Sequence, residues 1–201
     1  GVDVALYGRH AGDFGPEHQP YDVGFTGASN HKYPLRESIL ATVREMGATS
    51  SLRSYLGTWS QTSLAASHNR SWKALSRTEY AAQISRAKMW VSTTGPENIV
   101  GTRYFEVLAS GTTLLLCNRP PPNAWVYEGL FDDGVHAVFF SSMDELREKI
   151  LYYRSNEPAR QRIVKAAYER SRQMHSWEAR AKFITAVAEV LLAKPPGALP
   201  R

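Results

Sequence analysis

The chain has 201 residues, enough for one sizeable hydrophobic core and too few for two full α/β domains. An apolar share of 43%, a charged share of 21% and a single cysteine, Cys117, exclude a disulfide scaffold, a collagen-like repeat and a disordered chain. The formal charge of +5 is scattered, mostly over helical faces from Arg147 onward, which argues for solvated helix surface and against a nucleic-acid partner.

No stretch is long and apolar enough to span a bilayer, and no charged-then-apolar leader opens the chain. With Cys117 inside the apolar run Thr113–Cys117, a reducing, cytoplasmic setting is the expectation. The chain begins without methionine, directly on an apolar run, so a piece of a longer protein is expected.

In chain order, strands are expected at Val2–Tyr7, Val23–Thr26, Met89–Ser92, Thr113–Cys117 and Ala137–Phe140, short runs rich in β-branched or aromatic residues. Leu35, Ile39, Leu40, Val43 and Met46 share one face of a helix that Gly47 should stop. Ser76 and Glu79 form a capping box for a helix carrying Tyr80, Ala81, Ile84 and Ala87. Strands alternating with helices predict an α/β fold, a parallel sheet with helices around it, because parallel neighbours need a crossover connection.

From Ser142 the pattern is helical. Ser142 with Glu145 opens one helix with Leu146, Ile150 and Leu151 inward, and Asn156 with Glu157 and Pro158 opens the next. Ser176 starts a last helix expected to turn Ala181, Ile184, Val187, Ala188 and Leu191 inward. The division expected is a lead-in strand and loop over 1–20, a Rossmann-like unit over 21–141, packed helices over 142–193 and a flexible tail over 194–201.

The segment Gly95–Gly111 follows one strand and precedes another, so a small-residue loop feeds a helix at the carboxyl end of a strand, where open α/β sheets bind ligands. Gly101 and Thr102 offer amides and a hydroxyl, Arg103 a charged fork, and Glu106 a carboxylate able to accept two ribose hydroxyls. Taken alone, Arg103 and Glu106 could be an exposed helical pair. A second loop, Gly24–Arg36, also leaves a strand and brings Gly27, Ser29, Asn30 and Arg36, and two such loops make a cleft; read blandly, Ser29 or Asn30 is a helix cap.

Three stretches, Tyr21-Asp22-Val23-Gly24-Phe25-Thr26-Gly27 followed by Arg36, then Arg103-Tyr104-Phe105-Glu106-Val107-Leu108-Ala109-Ser110-Gly111, then Asp132-Asp133-Gly134, resemble group 1 glycosyltransferases of the spore-maturation type. The closing runs Glu157–Arg160 and His175–Arg180 fit the same likeness, which spans roughly Tyr21 to Leu192. The resemblance implies one half of a GT-B fold, the C-terminal domain that binds a nucleoside-diphosphate sugar, its N-terminal partner domain belonging to the same longer chain. It implies that Glu106 holds the ribose and that Gly27, Arg36 and Arg103 lie at the diphosphate. Related retaining enzymes carry a glutamate eight positions before the ribose-holding one; here that position is Asn98 with Glu97 beside it, and both are expected at the sugar.

Base recognition is expected around Trp72–Tyr80, with Trp59 and Trp72 serving equally well as packing anchors. The six histidines have no metal-ligand spacing, and no cofactor or metal is expected. The function expected is transfer of sugar to a glycan, lipid or protein acceptor, with fixed amides and arginines stabilising the leaving diphosphate. A nucleotide-sugar epimerase and a non-catalytic nucleotide- or polyanion-binding module are the competing readings; sparse acids around Glu97 count against the first.

Overall fold

The structure is a computed structural model that describes residues 1–28, 30–59, 75–95, 98–121 and 125–193. Five strands, β1 (Tyr21–Ala28), β2 (Ser54–Trp59), β3 (Ala87–Ser92), β4 (Leu114–Asn118) and β5 (Val138–Phe140), pair in parallel in the order β2-β1-β3-β4-β5. The helices are α1 (Val4–Tyr7), α2 (Pro34–Ser50), α3 (Arg77–Ser85), α4 (Thr102–Leu108), α5 (Met143–Ser155), α6 (Glu157–Arg170) and α7 (Trp177–Ala193).

Successive strand residues point to opposite faces, so the alternation within β3 and β4 feeds two cores. Trp90, Leu115 and Cys117 pack with Ile84, Tyr104 and Ala167 on one face, and Met89, Val91, Leu114 and Leu116 pack with Ile39, Val43, Leu146 and Ile163 on the other. The α/β, Rossmann-like sheet with helices on both faces is the expected fold. Gly24 lies in register with Trp90, and a Cβ there would collide with the indole, so the β1–β3 pairing depends on glycine at that position.

The chain leaves β1 for one side of the sheet and, after β2, returns to pair β3 on the other. The carboxyl ends of β1 and β3 therefore flank a topological switch, where loops diverge and leave a crevice.

Four expectations need correction. The run Val2–Tyr7 is not a strand: Asp3 accepts from the Leu6 amide and caps the single turn α1, and Val2 makes only an isolated bridge to Ser176. Strand β2 is absent from the expected set because Ser54, Gly57 and Thr58 break its apolar run at a sheet edge, where only one flank pairs. Helix α2 passes through Gly47 to Ser50 and ends at Ser51 in the left-handed conformation. Residues 181–192 of α7 are exposed throughout, Ile184, Val187 and Leu191 among them, so the apolar face of this helix does not pack on the sheet.

Smaller differences follow. Leu151 is exposed while Leu146 and Ile150 are buried, and Ala87 begins β3 rather than ending α3. The Ser76–Glu79 capping box is reciprocal, whereas at α5 Ser142 accepts from the Glu145 amide and the Glu145 carboxylate reaches the Ser141 amide instead. Asn156 caps α6 as expected. The tail 194–201 lies outside the described residues.

Candidate functional site

At the carboxyl end of β1, Gly27 faces two guanidinium groups. A Cβ built on Gly27 would stand 3.3 Å from Nη1 of Arg36 and 3.5 Å from Nη1 of Arg103, so glycine leaves room over the strand end. Arg36 comes from the first turn of α2 and is tied to both flanking strand ends: Nε donates to Thr93 Oγ1 at 2.9 Å and Nη1 to the Ala28 carbonyl at 3.1 Å. Its Cζ lies 3.8 Å from the centre of the Tyr33 ring, a stacked cation–π contact that fixes the plane of the fork.

Arg103 comes from the first turn of α4, and its Nε donates to the Tyr80 hydroxyl at 2.6 Å. That hydroxyl also shares a hydrogen bond of 3.2 Å with Thr26 Oγ1, so α3 and β1 together position the Arg103 fork. Among the described residues, no carboxylate forms an ion pair with Arg36 or Arg103. Burial lowers the Arg36 guanidinium from its ordinary pKa, and the Arg103 charge pushes the same way against Tyr33. Two like charges held together in a half-buried crevice are the electrostatic signature of a site for an anion.

Glu106 sits one turn along α4. Its carboxylate lies near the Tyr7 hydroxyl, Arg103 and Thr102. Burial raises its pKa above the usual carboxylate value, and these three neighbours oppose the rise. Tyr7 is itself held neutral to high pH by burial and the Glu106 charge.

Gly101 caps α4 in an extended conformation with no side-chain cap, leaving open space where its Cβ would lie. Since α4 has seven residues, its macrodipole is small and the two arginines dominate the local potential. Asn30 serves the turn before α2, its side chain accepting from the Lys32 amide, while Tyr33 rather than Ser29 or Asn30 occupies the cap position. Asn98 is exposed in the left-handed conformation, in a turn closed by the Gly95 amide bonding the Ile99 carbonyl. Ser29, Glu97 and Trp72 lie outside the described residues, as do residues 73 and 74 of the expected base-recognition segment.

The sequence model of the Glycosyl transferase-like family matches residues 36–186, which contain Arg36, Arg103 and Glu106. The chain belongs to this family. Its sheet and helices are those of the C-terminal half of a GT-B glycosyltransferase, as the likeness to solved structures shows.

The C-terminal domain of the group 1 glycosyl transferase LpcC from Francisella tularensis superposes with a TM-score of 0.65 at 14% identity, covering 88% of this chain and 100% of that one. HepE of Anabaena, solved in complex with UDP and glucose, matches with a TM-score of 0.60 at 12% identity, over 96% of this chain and 56% of its own. The pneumococcal O-GlcNAc transferase GtfA, solved in complex with UDP and GlcNAc, gives 0.56 at 17% identity, over 86% of this chain and 36% of its own. The chain thus spans about half of HepE and about a third of GtfA. No curated relative matches the sequence.

Within this glycosyl transferase-like chain, Gly27, Arg36 and Arg103 are brought together, and Glu106 follows one turn behind Arg103. Of the supporting residues, Tyr7, Tyr33 and Thr93 were not among the expected site residues, and Tyr80 was expected only within the base-recognition segment. Tyr33 stands three positions before Arg36, whereas Tyr7, Tyr80 and Thr93 reach Glu106, Arg103 and Arg36 across 99, 23 and 57 positions, separations that no local pattern signals.

Proposed function

We propose that this chain binds the donor of a glycosyltransferase, a nucleoside-diphosphate sugar, with the diphosphate over Gly27 between Arg36 and Arg103. The observation that carries this reading is the convergence of the two guanidinium groups at the sheet's switch point on a glycine that leaves the strand end bare. Glu106 accepts the ribose hydroxyls, and Gly101 and Thr102 contribute backbone amides. Asn98 and Glu97 are assigned to the sugar, and Ser29 and Asn30 to donor binding.

As the glycosidic bond breaks, negative charge builds on the departing diphosphate, and positively charged forks already aimed at that point lower the barrier without reorganising. Two bound arginines supply the charge a divalent ion would otherwise give, so donor binding in this reading needs no metal. The acceptor, a glycan, lipid or protein, and the remaining catalytic groups belong to an N-terminal partner domain, a reading supported by this chain's covering only 56% of HepE. No described helix is long and apolar enough to cross a membrane. The single buried thiol of Cys117 suits a cytoplasmic setting.

Ligand-observed NMR of the chain against a panel of nucleoside diphosphates and their sugars tests this. Saturable binding of one nucleotide class that is lost in Glu106→Ala supports it. Binding that instead falls steeply with salt and ignores the substitution identifies a diffuse polyanion surface and overturns it.

A further inference from the structure

The loop between α1 and β1 holds a second cluster at the opposite end of the sheet. His18 precedes Gln19, whose buried amide donates to the carbonyls of Ala87 and Thr112, at the amino ends of β3 and β4, and whose oxygen accepts from buried Arg160 at 3.0 Å. Gln19 and Arg160 therefore fix one end of the loop. Its turns are fixed as well: Asp13 N donates to the His10 carbonyl, Gly12 N to the Gly111 carbonyl, and His18 N to the Gly15 carbonyl, each at 3.0 Å. Gly12, at φ +86°, makes the reversal that folds Asp13 back.

This folding brings one nitrogen each of His10 and His18 and one oxygen of Asp13 within 4.8 Å of one another. Nδ1 of His18 stands 3.4 Å from Oδ2 of Asp13. That is long for a hydrogen bond. It is close to the spacing of about 3.3 Å between two ligands of a tetrahedral ion bound at about 2.0 Å. Nε2 of His18 is buried with no hydrogen-bond partner among the described residues. The His10 and His18 rings lie 4.6 Å apart, centre to centre, and Asp13 is exposed, leaving one side of the cluster open to water.

We propose that His10, Asp13 and His18 bind a divalent transition-metal ion of the zinc class, with water in the fourth position. Two imidazoles and one carboxylate are a donor set such ions favour. The ion ties the turn after α1 to the segment entering β1. It lies at the amino ends of the strands, away from the arginine pair at their carboxyl ends, and the proposal stands independently of the donor reading.

The test is titration of the metal-free chain with cobalt(II), followed by visible absorption, with zinc(II) competition and a thermal melt in each state. One cobalt per chain, with the strong visible bands of a low-coordinate ion, displaced by zinc and accompanied by a higher melting temperature, is the expected result. Asp13→Asn, which keeps the oxygen that accepts from the Gly15 amide, and His10→Ala should each weaken binding by more than about tenfold, the least expected when even an outer partner of a metal site is lost. Absence of stoichiometric binding, or binding unchanged in both variants, overturns the proposal.

Discussion

Arg36 and Arg103 reach the same bare spot over Gly27 from two different helices, 67 positions apart in the chain, each with its Nε already committed to a hydroxyl, that of Thr93 and that of Tyr80. Each fork is thereby oriented before any ligand arrives, and the repulsion between them is built into the folded chain.

Gly27→Ala places a methyl group at that spot. Its backbone is extended, so alanine is conformationally acceptable, and the contact with Arg36 at 3.3 Å calls for a small shift. The variant should fold with a melting temperature within a few degrees of wild type and lose nucleoside-diphosphate affinity by at least about tenfold, roughly 1.4 kcal/mol. Paired melting and calorimetric titrations check both halves.

Tyr80→Phe deletes the hydroxyl that accepts from Arg103 Nε while keeping the ring that packs on Trp90. Tyr80 acts through Arg103 and is a positioning residue. A hydrogen bond to a charged group is worth about 1.5–3 kcal/mol, so affinity for the diphosphate should drop by about tenfold or more. Affinity for the bare nucleoside should not change, a split that a merely structural role would not give.

Glu106→Gln separates binding from stability. Burial raises the Glu106 pKa, so its native-state contribution to stability is fully present below the ordinary carboxylate value and is lost as pH rises through the shifted one. At neutral pH the ionised group costs stability. The amide should therefore leave the ligand-free chain as stable as wild type or more so, while nucleotide binding falls by about tenfold or more with the loss of charged acceptors for the ribose. Melting curves at pH 7.5, with and without nucleotide, show both effects.

Acid should loosen the other side of the molecule. Burial lowers the pKa of His175, Arg180 and Arg170 push the same way, and the bond from its ring to the Leu130 carbonyl opposes them. Burial likewise lowers His136, against the pull of Asp132. An unfolded histidine takes up a proton near pH 6.5, before the folded one does. Stability is thus complete above about 6.5 and declines as pH falls toward the folded values. A lower melting temperature at pH 5.5 than at 7.5, with a shallower slope in His175→Asn, is expected. Glu106 acts in the opposite sense, so the comparison is cleanest in the Glu106→Gln background.

Much of this was legible in the chain because it is local. The strands β1, β3, β4 and β5 announce themselves as apolar runs, Ser76 and Asn156 as caps, and the Gly27, Arg36, Arg103 and Glu106 set as glycine and charge at strand ends. What could not be read is what depends on tertiary context. Val2–Tyr7 carries strand-like residues, yet a single Asp3 cap and the Ser176 bridge decide otherwise. The apolar stripe of α7 has helical periodicity, which specifies that a face is apolar and not what covers it. Tyr7 and Tyr80, which reach Glu106 and Arg103 across the fold, and the His10–Asp13–His18 cluster come together only once the chain reverses at turns whose outcome no spacing encodes.

Whether the arginine pair holds a diphosphate is measured most directly as the difference in affinity between the nucleoside diphosphate that the chain selects from the panel and its bare nucleoside, for wild type, Arg36→Ala, Arg103→Ala and the double variant. The gap should be large in wild type, shrink by at least about tenfold in each single variant and nearly vanish in the double, while the bare nucleoside is bound alike by all four. A gap that persists in the double variant would place the phosphates elsewhere and contradict the account.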